Sequence, residues 1–464
     1  MAVPDRDLKA AIAATRFGLG ARPGEIAEAA RDPRGFLKAQ IRREGADLPR
    51  TNGEGSAQRI ADLREFQQFK REAKQEGEGK DPVKLAQKML REDTGEDFLG
   101  RAQLGATTEA GFRERWALFF ANHFTVAANK LQTETVVGPF EAEAIRPHVF
   151  GHFGDLLIAA ETHPAMMLYL DQVQSVGPNS PLAQRAAMRP GPRRNLGLNE
   201  NLAREIMELH TVGVHGGYSQ ADVTEFARAM TGLSIGGFRG PEEQVGALLF
   251  RTAAHEPGER TVMGVRYRAD GERQAQAILS DLAAKPQSAR FVCAKIARHF
   301  VADDPPPALV GRLETAWNRS GGDLARVAEA LIEAPEAWQP APAKFKTPYE
   351  FVVSSYRAAG TEPQAVNQVA PILTALGQKP FTPGSPKGWP DVAADWAAPD
   401  AIVKRMQFAQ AFAAQAIGGR DPKALAEEAL GARLSAPTAL AVARAESRPE
   451  GFALLLMSPE FQRR

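Results

Sequence analysis

Apolar residues recur at helical spacing from one end of the chain to the other, in a background of Ala, Leu, Glu and Arg, and Gly and Pro cut the runs at short intervals. Such a chain buries its apolar stripes by packing helix on helix. The expected fold is therefore mainly α: one large multi-helical body spanning 1–464, with one small β-hairpin and long irregular loops. At 464 residues and 44% hydrophobic content the chain can close a large core without a metal or disulfide staple.

Four stretches break the pattern. Between 51 and 96 the chain turns charged, as in Arg64-Glu65-Phe66 and Glu76-Gly77-Glu78-Gly79-Lys80, and reads as an insertion of solvated helices flanking a mobile loop, with a binding arm as the alternative. Residues 179–194 are rich in Pro and Arg and read as an irregular loop. Residues 247–251 and 260–268 fit two strands around Pro257-Gly258, which would place His255 at a hairpin tip. The prolines between Lys379 and Pro390 forbid helix or central strand, so this segment should wrap across the helical body.

Composition excludes several classes of function. Lys plus Arg number 57 against 56 Asp plus Glu, so the chain offers no general attraction for nucleic acid. Cys293 is the only cysteine, which removes a disulfide framework and any thiolate zinc cluster, and its apolar surroundings suit an inert buried thiol. No run approaches the roughly eighteen apolar residues of a membrane span. The amino-terminal residues lack a basic region followed by an apolar one, so the expected compartment is the cytoplasm.

Asn199-Glu-Asn-Leu-Ala-Arg-Glu-Ile-Met-Glu-Leu-His210 is the densest polar string. On a helical projection Glu200, Asn201, Arg204, Glu205 and Glu208 fill one arc, whereas His210 lies among Leu202, Ala203, Ile206 and Met207. His123 likewise falls inside the aromatic arc of Phe112, Trp116, Phe119, Phe120 and Phe124. Each histidine is either a satisfied core residue or part of a convergent site, because a buried imidazole left unpaired costs about 1–3 kcal/mol. A divalent metal would need three or more ligands, and HExxH and ExxH spacings are absent; a set drawn from His123, Glu205, Glu208, His210 and His255 is the one metal site the sequence offers. The four-residue spacing of Glu200, Arg204 and Glu208 also makes an ordinary surface ladder. Ser219 and Asp222 form a capping box, Arg228 faces away from Val223, Phe226 and Met230 and is free to meet the acidic string, and His299 in a last helical turn suits carbonyl capping. No GxSxG elbow or phosphate loop occurs.

Motifs in order along nearly the whole chain resemble the bacterial domain-of-unknown-function 1800 family: Arg16-Phe-Gly-Leu-Gly20, Asn122-His-Phe-Thr-Val126, His163-Pro-Ala-Met166, Tyr169-Leu-Asp171, Asn199 to Thr211 with Gly213, Gly217-Tyr218, Ala227-Arg228 through Thr231-Gly232, His255, Ala289-Arg290-Phe291 and Gly388-Trp389-Pro390. The resemblance implies a mostly helical bacterial protein, a sulfatase-like gene neighbour as partner, and an envelope role for the many members with export signals. This chain departs at Leu233, where the family tends to carry tryptophan, and at Glu256, where aspartate is usual.

Two readings of function follow. One is a hydrolase-like enzyme whose catalytic site collects His123, Glu205, Glu208, His210 and His255, with Arg204, Arg228, Asn199, Asn201 and Tyr218 binding substrate; the cofactor is unassigned, with a divalent metal as one option. The other is a non-catalytic scaffold or accessory protein that docks a partner of the sulfatase-like type.

Overall fold

The computed structural model describes residues 5–75, 80–188, 196–237 and 244–464. Among these residues the chain is mainly α-helical, with two small antiparallel two-stranded sheets. No described helix is long and apolar enough to cross a membrane.

The helix Gly111–His123 runs through the centre of the body. It is buried nearly all round, with its aromatic residues in the core and its charged residues in buried pairs. Trp116 stacks on Phe150 at 6.0 Å and meets Phe300 at 5.8 Å, while its indole Nε1 donates to the Val149 carbonyl at 2.7 Å. Aromatic area thus supplies most of the local burial, and the one polar handle on the indole is satisfied.

The same helix carries Arg113, Glu114 and Arg115, each under 4% exposed. Buried charge of this density survives only in pairs. Arg113 reaches Asp47 at 2.9 Å, and Glu114 accepts both terminal nitrogens of the fully buried Arg146, at 2.7 and 2.8 Å. Arg146 also holds Glu141, which in turn holds Arg101 at 3.2 Å. Arg115 pairs with Glu350 on the helix Pro348–Ala359, whose start is fixed by Pro348 at its first position and a Thr347/Glu350 capping box.

The expected single hairpin is replaced by two ribbons. β1 (Leu233–Ile235) pairs with β2 (Leu248–Phe250), and β3 (Arg260–Val262) pairs with β4 (Val265–Tyr267). The first expected strand therefore pairs backwards, and the second folds on itself about Met263-Gly264, where both residues have positive φ. His255 is consequently not at a hairpin tip; it follows the 3-10 turn Thr252–Ala254 and its Nδ1 lies 2.7 Å from the Thr231 carbonyl. Glycine at 264 permits the left-handed backbone that this tight reversal needs.

One further expectation changes, and the charged insertion keeps its helices. The 179–194 segment contains the helix Pro181–Ala187, because Ser180 caps it through Ala183 N and Pro181 takes the first position; residues 189–194 lie outside the described residues. The charged insertion folds as helices Ser56–Gln75 and Lys80–Thr107, joined by a small cluster of Leu63, Phe66 and Leu90, while 76–79 lie outside the described residues.

Candidate functional site

The polar string does not continue as one α-helix. Asn199 caps the start by accepting from Asn201 N at 2.9 Å, the helix runs over Asn201–Glu205, and it widens into a π-helical turn over Ile206–His210. The π turn ends on His210, which is fully buried, as its place on the apolar arc required. Its Nδ1 lies 2.7 Å from Oε1 of Glu161, which is equally buried. The contact is close enough for an ion pair but not aligned as a hydrogen bond, and His210 Nε2 and Glu161 Oε2 have no hydrogen-bond partner among the described residues.

His123 does converge on His210, with ring centroids 5.9 Å apart. The link is through the main chain: His123 Nε2 lies 3.1 Å from the His210 carbonyl, and since that oxygen only accepts, the proton resides on Nε2. His123 Nδ1 is then the acceptor for Lys295 Nζ at 2.9 Å. Burial, with Lys295 and His210 adding to it, holds His123 well below the ordinary histidine range, in keeping with a neutral ring. Burial also lowers the Lys295 ammonium to about 8, against the pull of Asp391.

The other residues expected at this site are placed differently. Glu205 is half-buried, and burial raises its carboxyl against the opposing charge of His210, with Glu208 adding to the rise. Glu208 meets the Tyr218 hydroxyl at 3.4 Å. Arg204 pairs with Glu200 at 3.1 Å, and Asn201 is exposed. Asn199 spends its amide nitrogen on the carbonyls of Leu170 and Asp171. Arg228 does not join the acidic string, because Glu225, three residues earlier on its own helix, takes it. Among the described residues no three His, Cys, Asp or Glu side chains are grouped to hold a metal ion. Cys293 is buried, and burial pushes its thiol up, so it is inert.

Asn122 and His123, about 100° apart on their helix, face different surroundings. On the Asn122 side lies a cavity of about 110 Å³, roofed by the segment from Lys379 to Asp391 and lined by Arg115, His299, Tyr349 and Glu350 among others. The roof is clasped at both ends. Asn122 accepts from Trp389 N at 2.7 Å and donates to the Trp389 carbonyl at 3.0 Å, while Phe381 O accepts from Ala128 N at 2.7 Å. Gly388 permits the clasp: its φ is +83°, and a Cβ there would stand 2.4 Å from the Asn122 carbonyl. Gly388→Ala is expected to lose about 1–3 kcal/mol and to loosen the roof, read as a drop in the urea midpoint with a shift in tryptophan emission.

Inside the cavity wall, His299 Nδ1 donates to Asp391 Oδ2 at 2.9 Å. That bond fixes the tautomer, leaving Nε2 as the lone-pair nitrogen, and Nε2 has no partner among the described residues. Against the upward push of burial, His299, Lys344 and Arg464 hold the Asp391 carboxyl at about 2, so it is an anion at any working pH. Burial outweighs Asp391 and keeps His299 below the ordinary histidine range. Arg115 donates its Nε to the Gly18 carbonyl at 2.7 Å and one terminal nitrogen to Glu350, while its Nη2 is buried without a hydrogen-bond partner.

Lys295 and His299 lie four residues apart on one face of the helix Pro286–Phe300, so a single helix connects the interior histidines with the cavity. Glu161, Lys295 and Asp391 escaped the reading of the sequence. One signal was present: Glu161 is the last residue of the apolar helix Phe153–Glu161, where the helix dipole disfavours a carboxylate, so its presence there asks for a partner.

No curated protein and no solved structure matches the chain. The family model described as "Protein of unknown function (DUF1800)" matches residues 12–463, and the motifs that run along the sequence now lie on one connected body; the chain belongs to the DUF1800 family.

Proposed function

We propose that this DUF1800 protein is a hydrolase-like enzyme whose general base is His299, oriented by Asp391, in the cavity beneath the Lys379–Asp391 roof. The observation that carries the reading is the orientation of the ring: Nδ1 is spent on the partly buried Asp391 carboxylate, and Nε2 has no hydrogen-bond partner among the described residues, on a side chain that lines the cavity. A carboxylate that fixes the tautomer of a base is the arrangement proton abstraction needs.

Two of the hydroxyls that line the cavity spend their protons on carbonyls, and the third accepts at a helix cap. Thr125 Oγ1 donates to Asn122 O at 2.7 Å, Tyr349 donates to Arg101 O at 3.1 Å, and Thr347 Oγ1 accepts from Glu350 N at 3.3 Å. The nucleophile in this reading is water. Its oxygen bonds to the electrophilic carbon of a small ester or amide, and its proton passes to His299 Nε2. The negative charge that develops on the carbonyl oxygen is met by Arg115 Nη2. The bond to the leaving group then breaks, and Nε2 returns the proton to it.

The Asn199–His210 string supports this reading from behind, as the buried cross-link that fixes the central helix. Glu205, Glu208 and His255 take no part in the step.

The test is turnover of p-nitrophenyl acetate and of small amide esters by the wild-type chain, with His299→Ala and Asp391→Asn beside it. Loss of His299 is expected to cost about 10²- to 10⁴-fold in kcat/KM with the circular dichroism unchanged. Because the base works only when neutral and its pKa lies below the ordinary 6.5, activity should climb with pH and level off below 6.5. Equal turnover by wild type and His299→Ala, or none by either, sinks the enzyme reading and leaves the accessory body with a sulfatase-like partner.

A further inference from the structure

A second cavity, of about 480 Å³, opens on the other side of Arg101, between residues 48–55 and the start of the π-helical turn Glu141–Ile145. Its volume falls in the range of small-molecule sites, and the proposed hydrolytic step makes no use of it. Four carboxylates line it, Glu54, Asp97, Glu141 and Glu143, against the two guanidiniums of Arg50 and Arg101.

The carboxylates differ in how far they are already spent. Glu141 is held by Arg101 and Arg146, and Glu143 accepts from Ser56 N and Ser56 Oγ, both at 2.7 Å, and from His163 Nε2 at 2.9 Å. Asp97 is different. It is 6% exposed, its Oδ2 has no hydrogen-bond partner among the described residues, and its one cationic neighbour, Arg59, stands 3.5 Å from the other oxygen. That guanidinium is shared with Glu54 and Asp93, each at 3.0 Å. Burial, against Arg59, raises Asp97 to about 6, and Asp93, Glu141 and Glu96 add to the rise, as expected where negative charge is undercompensated.

Glycine lets two of these carboxylates pack directly against backbone. A Cβ on Gly138 would stand 2.1 Å from Asp97 Oδ2, and one on Gly55 would stand 2.6 Å from Glu143 Oε1. Leu48, Pro49, Pro139 and Phe381 give the wall an apolar side, with Thr51 beside them.

We infer that this cavity binds a small organic cation, an alkyl ammonium or guanidinium, whose charged head pairs with the Asp97 carboxylate and whose aliphatic stem lies along Leu48, Pro49 and Pro139. An ammonium fits better than a metal ion. One undercompensated carboxylate matches a single charged nitrogen, whereas calcium or magnesium takes six or more oxygens, and the lone pairs of Glu141 and Glu143 are occupied. The excess of carboxylates attracts the cation to the mouth, and the apolar wall holds the stem that a simple ion lacks.

Calorimetric titration of the full chain with cadaverine and with agmatine tests this, with pentane-1,5-diol as the uncharged analogue and magnesium chloride as the bare cation. The amines should bind at submillimolar concentration, weaken as sodium chloride is raised, and lose about tenfold or more in affinity in Asp97→Asn. Glu54→Gln, altered at the half-exposed mouth, should weaken them by a smaller factor and provides a variant whose folding is not at risk. The inference is overturned if the diol binds as well as the amines, if magnesium binds and the amines do not, if neither amine binds at millimolar concentration, or if both variants bind them like wild type. Hydrolytic activity is read separately, because His299→Ala should leave amine binding intact.

Discussion

An Arg146→Leu variant is expected to lose about 3–5 kcal/mol at neutral pH, a large part of the stability of an ordinary domain, and to recover some of it on acidification. Arg146 is fully buried and binds two carboxylates, Glu114 through both terminal nitrogens and Glu141 through Nη2 and Nε. Removing it leaves two anions in the interior, with only Arg101 still beside Glu141. The pH dependence should change sign. In the wild type, Arg101 and Arg146 overcome burial and hold Glu141 below its ordinary 4.5. A depressed carboxyl stabilises above 4.5, and that contribution is lost as pH falls through the folded value. In the variant, burial acts without Arg146 and favours the protonated forms, so stability should rise as pH falls from 7 towards 5. Urea unfolding at several pH values reads both slopes; parallel slopes for the two proteins would show that Arg146 is not the counter-charge of this interior.

The second large effect lies in the Glu161–His210 pair. Glu161→Ala should cost about 3–5 kcal/mol, because it strips a fully buried imidazole of its ion-pair partner. Glu161→Leu combined with His210→Leu should recover most of the loss, since well-packed hydrocarbon of similar volume replaces a buried ion pair at little net cost. The outcome also separates two roles for the polar string. If the double variant is stable and keeps the turnover that depends on His299, the string is a cross-link. If it is stable and inactive, the reacting groups extend inward from the cavity.

Much of the architecture could be read from the residues. The helical periodicity, the Ser219 capping box and the proline segment over the surface all follow from local rules, and each appears where those rules place it. His123 and His210 were legible as inward-pointing for the same reason, since helical projection reports which face a residue occupies. Projection is silent on which face meets which. His299 joins Asp391 across 92 residues and Lys295 meets His123 across 172, so neither pairing leaves a trace in spacing. His299 read as a carbonyl cap because the last turn of a helix favours that use. The strand pairing failed on similar ground: Leu248–Phe250 has apolar neighbours both upstream and downstream, and the upstream partner Leu233–Ile235 sits directly after a helix stop, where no alternation marks it.

The roof segment ties two properties of the cavity to one length of chain. Trp389 closes the space through Asn122, and Asp391, two residues on, steers the imidazole. In the proposed enzyme, a shift of this segment that widened the space would also displace the carboxylate that orients the base, so access and activation would be set by the same short stretch of chain.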